Sequence, residues 1–459
     1  MKILFATSES LPFVSTGGLA DVSESLPHAL NSIPDVDVRV VLPYYSAIKN
    51  GYEHKVEYLT SFTVTLSWRR LYCGVFKIKH NGVIYYFLDN EYYFKRFGVY
   101  GDFDDGERFA FFSKAILDLM SAVDFFPDVL HANDWQTALS IPYLKKIYFN
   151  DHRYRNIFSV FTIHNVMYQG RYGKEIYKDI LGLPEGCMSD VMLDGDVNFM
   201  KGAIQTSDRI TTVSPTYRDE LLSGYNSFGM DKALTLRQQN FCGILNGIDL
   251  SLYPIKKDKM LSKKELQKEL NLKESENTPI IAIVSRLCEQ KGLSIIKPSL
   301  ERIMSENVQL AVLGKGDYMD EEFFKYLQRI YPEKISVTID FNKELSKLIY
   351  AGSDILLMPS LSEPCGISQM IACHYGTVPV TRETGGLRDT VRCYDPNNTE
   401  NTNGFTFYEY SERALTDTIH RTLELYSTNE WNKLVKRCMD CDFSWDSSAK
   451  KYIEVYSRI

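Results

Sequence analysis

Several things are scarce in this chain, and each scarcity removes a class of function. No stretch approaches the roughly 20 consecutive apolar residues of a bilayer-spanning helix, so a helical membrane protein is not expected. Basic residues are the minority: 52 Lys and Arg stand against 59 Asp and Glu, a formal net charge of −7. Without a basic stripe, neither nucleic acid nor an anionic membrane is an expected partner. Nine cysteines are scattered along the chain. The pair Cys438 and Cys441 has the two-residue spacing of a metal or redox site but no second pair to complete one, which suits a reducing compartment. The N-terminus shows no export signal, since acidic Glu9 arrives where a signal peptide would still be apolar. A cytoplasmic location is therefore expected.

What remains is a soluble-type composition on a long chain. Its 459 residues, 44% hydrophobic and 24% charged, exceed one typical core and suit two domains of about 200 residues. Short apolar runs alternate with longer amphipathic stretches, the pattern of parallel sheets wrapped by helices. Strands are expected at Lys2–Thr7, Val36–Leu42, Val83–Leu88, Val129–His131, Ser159–His164 and Arg209–Val213 in the first half. In the second they are expected at Pro279–Ser285, Gln309–Gly314, Ile335–Ile339, Ile355–Met358 and Val378–Thr381. The fold class is α/β, with two Rossmann-like, doubly wound domains over residues 1–245 and 246–442. A C-terminal helix in 443–459 should dock back on the first domain. The charged stretch Lys256 to Glu276 reads as a solvated, linker-like helix.

Open parallel sheets bind ligands beyond the carboxyl ends of their strands, so facing domains would place a site in their cleft. Three motifs are expected there. Thr-Gly-Gly-Leu-x-Asp occurs twice, at Thr16–Asp21 and Thr384–Asp389, each between a strand and a helix. In "SRLCEQKGL" the strand ends at Arg286, and Lys291 opens the next helix. A planar fork and a compact point charge at one strand end make a diphosphate clamp, assisted by helix N-terminal amides. In "PSLSEPCGIS" two prolines stiffen a loop bearing Glu363, which either accepts hydrogen bonds from sugar hydroxyls or caps its own loop. Gly366-Ile367-Ser368 then starts a helix with free amides. The aromatic-rich run Tyr85 to Phe112 is expected mainly to fill core. Within it, Asp102-Phe103-Asp104 has the spacing of a metal-binding DxD. Two cations already oppose a diphosphate elsewhere, so neither a metal nor another cofactor is expected.

These runs, with "HANDWQTA", "TIHNVMYQG", "TTVSPTY", "LNGID", "YGTVPV" and "DFSWDSSAKKY", resemble in order and spacing the bacterial glycogen synthase and plant starch synthase family over essentially the whole chain. The resemblance implies a GT-B fold and a retaining transfer of glucose. The donor would be a nucleotide sugar, usually ADP-glucose, and the acceptor the non-reducing end of an α-1,4-glucan. It implies that Arg286 and Lys291 bind the donor phosphates, helped by Gly18 and the amides of Ile367 and Ser368, with Gly17 and Gly366 shaping the turns. Glu363 would hold the donor glucose, Asp134 and His164 would line its site, and Asn246 would lie nearby. Phe341 takes the place of a base-stacking tyrosine, and Cys365 is a close-packed neighbour rather than a nucleophile. No pair of carboxylates suggests a glycosidase-like double displacement. The resemblance favours front-face displacement, the leaving phosphate taking the acceptor proton while the enzyme stabilises separated charge.

Two departures fall on donor motifs. Ser15 stands where the family has the lysine of Lys-x-Gly-Gly-Leu, and Leu361-Ser362 replace bulkier or basic residues before Glu363. They leave open a relative that prefers UDP-glucose, or a weakly active glucan-binding scaffold. A serine donates one hydrogen bond where an ammonium would oppose a diphosphate. Ser15→Lys is therefore expected to tighten ADP-glucose binding, measured by calorimetric titration. Unchanged or weaker affinity would show a loop rebuilt for another donor.

Overall fold

Ile3 to Ala6 are all buried, as expected of a strand covered on both faces. They belong to β1 (Lys2–Ala6), the centre of a nine-stranded sheet in a computed structural model that describes residues 1–457. The chain forms two compact units: Met1–Val213, Arg218–Gly247 and the chain from Trp445 onward make the first, Ser214–Tyr217 and Ile248–Ser444 the second.

The first unit adds β2 (Asp37–Pro43), β3 (Glu57–Leu66), β4 (Arg69–His80), β5 (Val83–Asp89), β6 (Val129–Asn133) and β7 (Phe158–Ile163). After the short strands β8 (Arg171–Tyr172), β9 (Met192–Leu193) and β10 (Asp196–Asn198) come β11 (Arg209–Thr212) and β12 (Phe241–Gly243). The main sheet runs β12-β11-β7-β6-β1-β2-β5-β4-β3. Because β1 pairs in parallel with both β2 and β6, the strand order reverses there, opening a crevice beyond their carboxyl ends.

The β3–β4 hairpin departs from the expected all-parallel sheet: β4 is antiparallel to both β3 and β5. Only one face of it is dry, through Val64, Leu66, Cys73 and Val75. The polar face dilutes the apolar signal in the sequence. The aromatic-rich stretch is largely core, with Tyr85, Phe87, Tyr93, Phe94 and Phe109 buried, while Phe97 and Phe103 project into solvent.

The second unit carries β13 (Ile280–Val284), β14 (Gln309–Leu313), β15 (Ile335–Thr338), β16 (Ile355–Met358), β17 (Val378–Arg382) and β18 (Phe405–Phe407). Its sheet is parallel throughout, ordered β15-β14-β13-β16-β17-β18, with a reversal at β13. Residues Ser214–Tyr217 group with this unit because Ser214 Oγ donates to the Pro364 carbonyl at 2.7 Å. In addition, Thr216 donates through its amide and hydroxyl to Asp389, at 2.9 and 2.7 Å. The stretch read as a solvated linker is instead packed. Its helix Lys259–Glu269 buries Lys263, whose Nζ lies 2.9 Å from Asp354 and donates to Tyr426 and the Glu276 carbonyl. The run of charges concealed two lysines that point inward, Lys263 and also Lys259, whose Nζ donates to Thr377 Oγ1 and the Tyr375 carbonyl.

The final helix, Trp445–Tyr456, packs against the helix Gly18–Asn31 of the first unit. Arg458 and Ile459, included in the expected C-terminal helix, lie outside the described residues. Tyr456 hydroxyl sits 2.7 Å from Nδ1 of the buried His131, whose Nε2 is 2.6 Å from Thr162 Oγ1. Tyr456→Phe leaves that imidazole nitrogen buried and unsatisfied, so a loss of about 1–3 kcal/mol is expected in denaturant unfolding.

Candidate active site

In the second unit, the loops leaving β13 and β16 at the reversal of strand order carry the charged candidates. Arg286 follows β13 and is exposed, with Nη2 3.4 Å from Gln290 Oε1. Gln290 in turn donates to the Ser362 carbonyl at 3.3 Å. Lys291 Nζ lies 2.5 Å from Glu363 Oε2, which also accepts from Ser360 Oγ at 3.1 Å. Arg286, Lys291 and Glu363 thus form one linked set. Gly292 (φ +90) is required for it, because a Cβ there would stand 2.3 Å from the Pro359 carbonyl. Arg382, from the end of β17, fixes the loop by donating to the Ser360 and Leu361 carbonyls at 3.3 and 2.9 Å.

Cys365 is buried, and Gly366 adopts φ +73. The amides of Ile367 and Ser368 head the helix Ser368–His374 and have no hydrogen-bond partner among the described residues. The Ser368 Oγ accepts from the Tyr350 hydroxyl at 2.8 Å. Gln369 fastens the turn by donating to the Cys365 and Gly366 carbonyls, both at 3.1 Å. Phe341 stands apart on the loop after β15, 79% exposed.

The two Thr-Gly-Gly copies do different work. A Cβ on Gly385 would lie 2.0 Å from the Glu363 carbonyl and one on Gly386 2.1 Å from that of Cys365, so the second copy packs against the Glu363 loop. At Gly17 and Gly18 a Cβ would meet nothing within 4 Å, and Gly17 (φ −165) is simply extended. The protein's own packing does not require glycine there; the first copy keeps space clear.

In the first unit, Ser15, Gly17 and Gly18 are exposed after β1. Asp134 follows β6 with φ +55, a strained conformation for an aspartate. Its Oδ1 accepts from the His164 amide at 2.8 Å, and His164 Nε2 lies 2.9 Å from Asn133 Oδ1. Asn133 Nδ2 donates to the Ala6 carbonyl, which orients its oxygen toward His164 and makes Nε2 the protonated nitrogen of the neutral ring. Asn246, after β12, is buried, and its side-chain oxygen has no hydrogen-bond partner among the described residues.

Burial dominates the electrostatics here. It pushes the Asp134 carboxyl up to about 7, against hydrogen bonds from the His164 and Asn165 amides that favour the anion. It pushes the His164 imidazole down to about 3. The DxD carboxylates are already paired, Asp102 with Arg108 at 2.9 Å and Asp104 with Arg96 at 2.8 Å. Asp105 also pairs with Arg108.

A family model described as starch synthase catalytic domain matches residues 2–236, and one described as glycosyl transferases group 1 matches 263–437. The chain belongs to the glycogen and starch synthase family. Its architecture is GT-B, and it is a glycosyltransferase. Within the family it is 46% identical to glycogen synthase of Clostridium novyi, covering 100% of this chain and 99% of that one. It is 45% identical to that of Bacillus cereus, with 100% of both covered. Among solved structures, the catalytic domain of starch synthase IV from Arabidopsis thaliana, bound to ADP and acarbose, superposes with a TM-score of 0.89. That likeness holds at 30% identity over 100% of this chain and 98% of the other.

The sequence does not single out the residues that hold the candidates: Gln290, Arg382 and Gln369 in the second unit, Asn133 and Glu9 in the first. Asn133 and Gln290 lie inside quoted motifs, beside the charged residues that draw attention, and Arg382 and Gln369 work through main-chain carbonyls.

For a carboxyl whose folded pKa is raised, native stability is greatest at low pH and is lost as pH rises through the folded value, here about 7. Asp134→Asn removes that loss. Its melting temperature should exceed the parent's by about 1–3 °C at pH 8 and by less at pH 5, because the unfolded carboxyl ionises from about pH 4 upward, in thermal unfolding at the two pH values.

Proposed function

We propose that the protein transfers glucose from ADP-glucose to the non-reducing end of an α-1,4-glucan with retention of configuration. The observation that carries this reading is the linked set at the ends of β13 and β16. Two cations, a carboxylate and two unbonded amides meet there on a frame stiffened by Gly292 and Arg382. Glucan synthesis is supported by family membership across the whole chain. ADP as the nucleotide is supported by the Arabidopsis relative, whose structure holds it.

In this reading Arg286 takes two diphosphate oxygens through its planar fork, and Lys291 opposes the charge that grows as the glucose–phosphate bond breaks. Amides of Ile367, Ser368 and Gly18 supply further donors. Glu363 accepts from the glucose hydroxyls and, through its ion pair, holds Lys291 in place beforehand. Asp134, with a pKa near 7, and neutral His164 provide hydrogen-bond partners for the sugar without placing a full charge beside it. Asn246 offers an unsatisfied oxygen for a hydroxyl, and Phe341 an exposed face for the base. The leaving phosphate takes the acceptor proton, so no protein base is needed.

One observation favours a second reading: Ser15 is exposed and uncharged at the first Gly-Gly turn, which would suit UDP-glucose or another donor. Nucleotide release and chain extension, measured with ADP-glucose or UDP-glucose on glycogen, decide between them; activity with UDP-glucose alone overturns the donor assignment. Lys291→Ala should lower turnover about ten- to more than a hundredfold, the loss of one charge-assisted contact of about 1.5–3 kcal/mol. Near-normal turnover would remove Lys291 from the leaving-group role.

A further inference from the structure

We infer that Glu9 is a positioning residue whose buried carboxylate holds the Ser15–Gly18 loop in the one conformation that receives the donor. The inference rests on the reading above that this loop faces the donor.

Glu9 lies just past β1, is 4% exposed, and has no lysine, arginine or histidine paired with it among the described residues. Such a carboxylate is costly to bury unless hydrogen bonds replace its water. Its donors come from two loops. Thr16 gives its amide and, at 2.9 and 3.0 Å to the two oxygens, its hydroxyl; Gly17 gives its amide at 3.3 Å. Tyr100 hydroxyl gives a further bond at 3.1 Å and is itself 2.7 Å from Ser8 Oγ. The next residue, Gly101, donates its amide to Asp105, which pairs with the fully buried Arg108. The second loop is therefore anchored in the core.

Between Ser15 and Gly18, every hydrogen bond to a side chain among the described residues goes to Glu9. Its glycines have no side chains, the 14-residue helix beginning at Gly18 has no side-chain cap, and the Ala20 amide bonds back to the Gly17 carbonyl at 3.2 Å. The carboxylate occupies the Thr16 and Gly17 amides, while that of Gly18, at the helix N-terminus, has no partner among the described residues. A buried acceptor is thus used to orient the loop that carries the Gly18 amide. With serine in place of the family's lysine, the loop offers the donor its placed amide and the Ser15 hydroxyl rather than a charge.

Glu9→Gln tests the assignment, because the amide keeps the shape but turns an NH2 toward Thr16 or Gly17. With the full-length enzyme, KM for the donor nucleotide sugar should rise about tenfold. KM for glycogen should stay within about twofold and the melting temperature within a few degrees. A donor KM within about twofold of the parent's, or equal rises in both KM values, would overturn the proposal. Should Glu9→Gln fail to fold, Thr16→Val removes one donor and keeps the shape. Its donor KM should rise about threefold with glycogen KM unchanged, and no rise would overturn the proposal. The split in KM is read with whichever nucleotide sugar the parent uses, so an error in the ADP assignment or in the role of Lys291 shows separately from an error about Glu9.

Discussion

The second unit's chemistry depends on a close approach of backbone to backbone. The carbonyl of Glu363 fills the space that a side chain on Gly385 would claim, and the carbonyl of Cys365 does the same at Gly386; the Gly386 amide donates to the Glu363 carbonyl at 3.1 Å. This contact fixes where Glu363 stands, Glu363 fixes the Lys291 ammonium, and the turn that follows fixes the amides of Ile367 and Ser368. Arg382 and Gln369 secure the same loop from either side through its carbonyls. The charged groups are consequences of a peptide path that only glycine permits.

The two units prepare polar groups in opposite ways. In the second, Arg286 stays exposed while Lys291 and Glu363, both largely covered, balance one another as an ion pair. In the first, desolvation works against charge: His164 is held neutral and the Asp134 carboxyl is pushed up to about 7. Groups of the first kind tolerate a strongly charged ligand, and groups of the second bond hydroxyls without attracting counter-ions.

Much of this was legible in the sequence where physics leaves a local trace. The β-branched and apolar runs gave the parallel strands, and Gly, Pro and charge at strand ends marked the loops bearing Arg286, Lys291 and Glu363. The hairpin β3–β4 escaped because an edge strand with one wet face alternates and loses apolar density. The helix Lys259–Glu269 was misread because burial of Lys263 depends on Asp354, which is 91 residues away and leaves no local trace. The unlike roles of the two Gly-Gly pairs were also hidden, since identical sequence served one packing need and one need for empty space.

The closing helix belongs to the unit that opens the chain, so the order of synthesis and the order of completion differ. The first sheet can form early, but Tyr456, the partner of His131, follows the whole stretch Ile248–Ser444. Until then the surface of Gly18–Asn31 that receives the helix stays uncovered, just downstream of the first Gly-Gly turn. A ribosome that stalls within the second unit would release a first unit with its sheet assembled and that helix exposed.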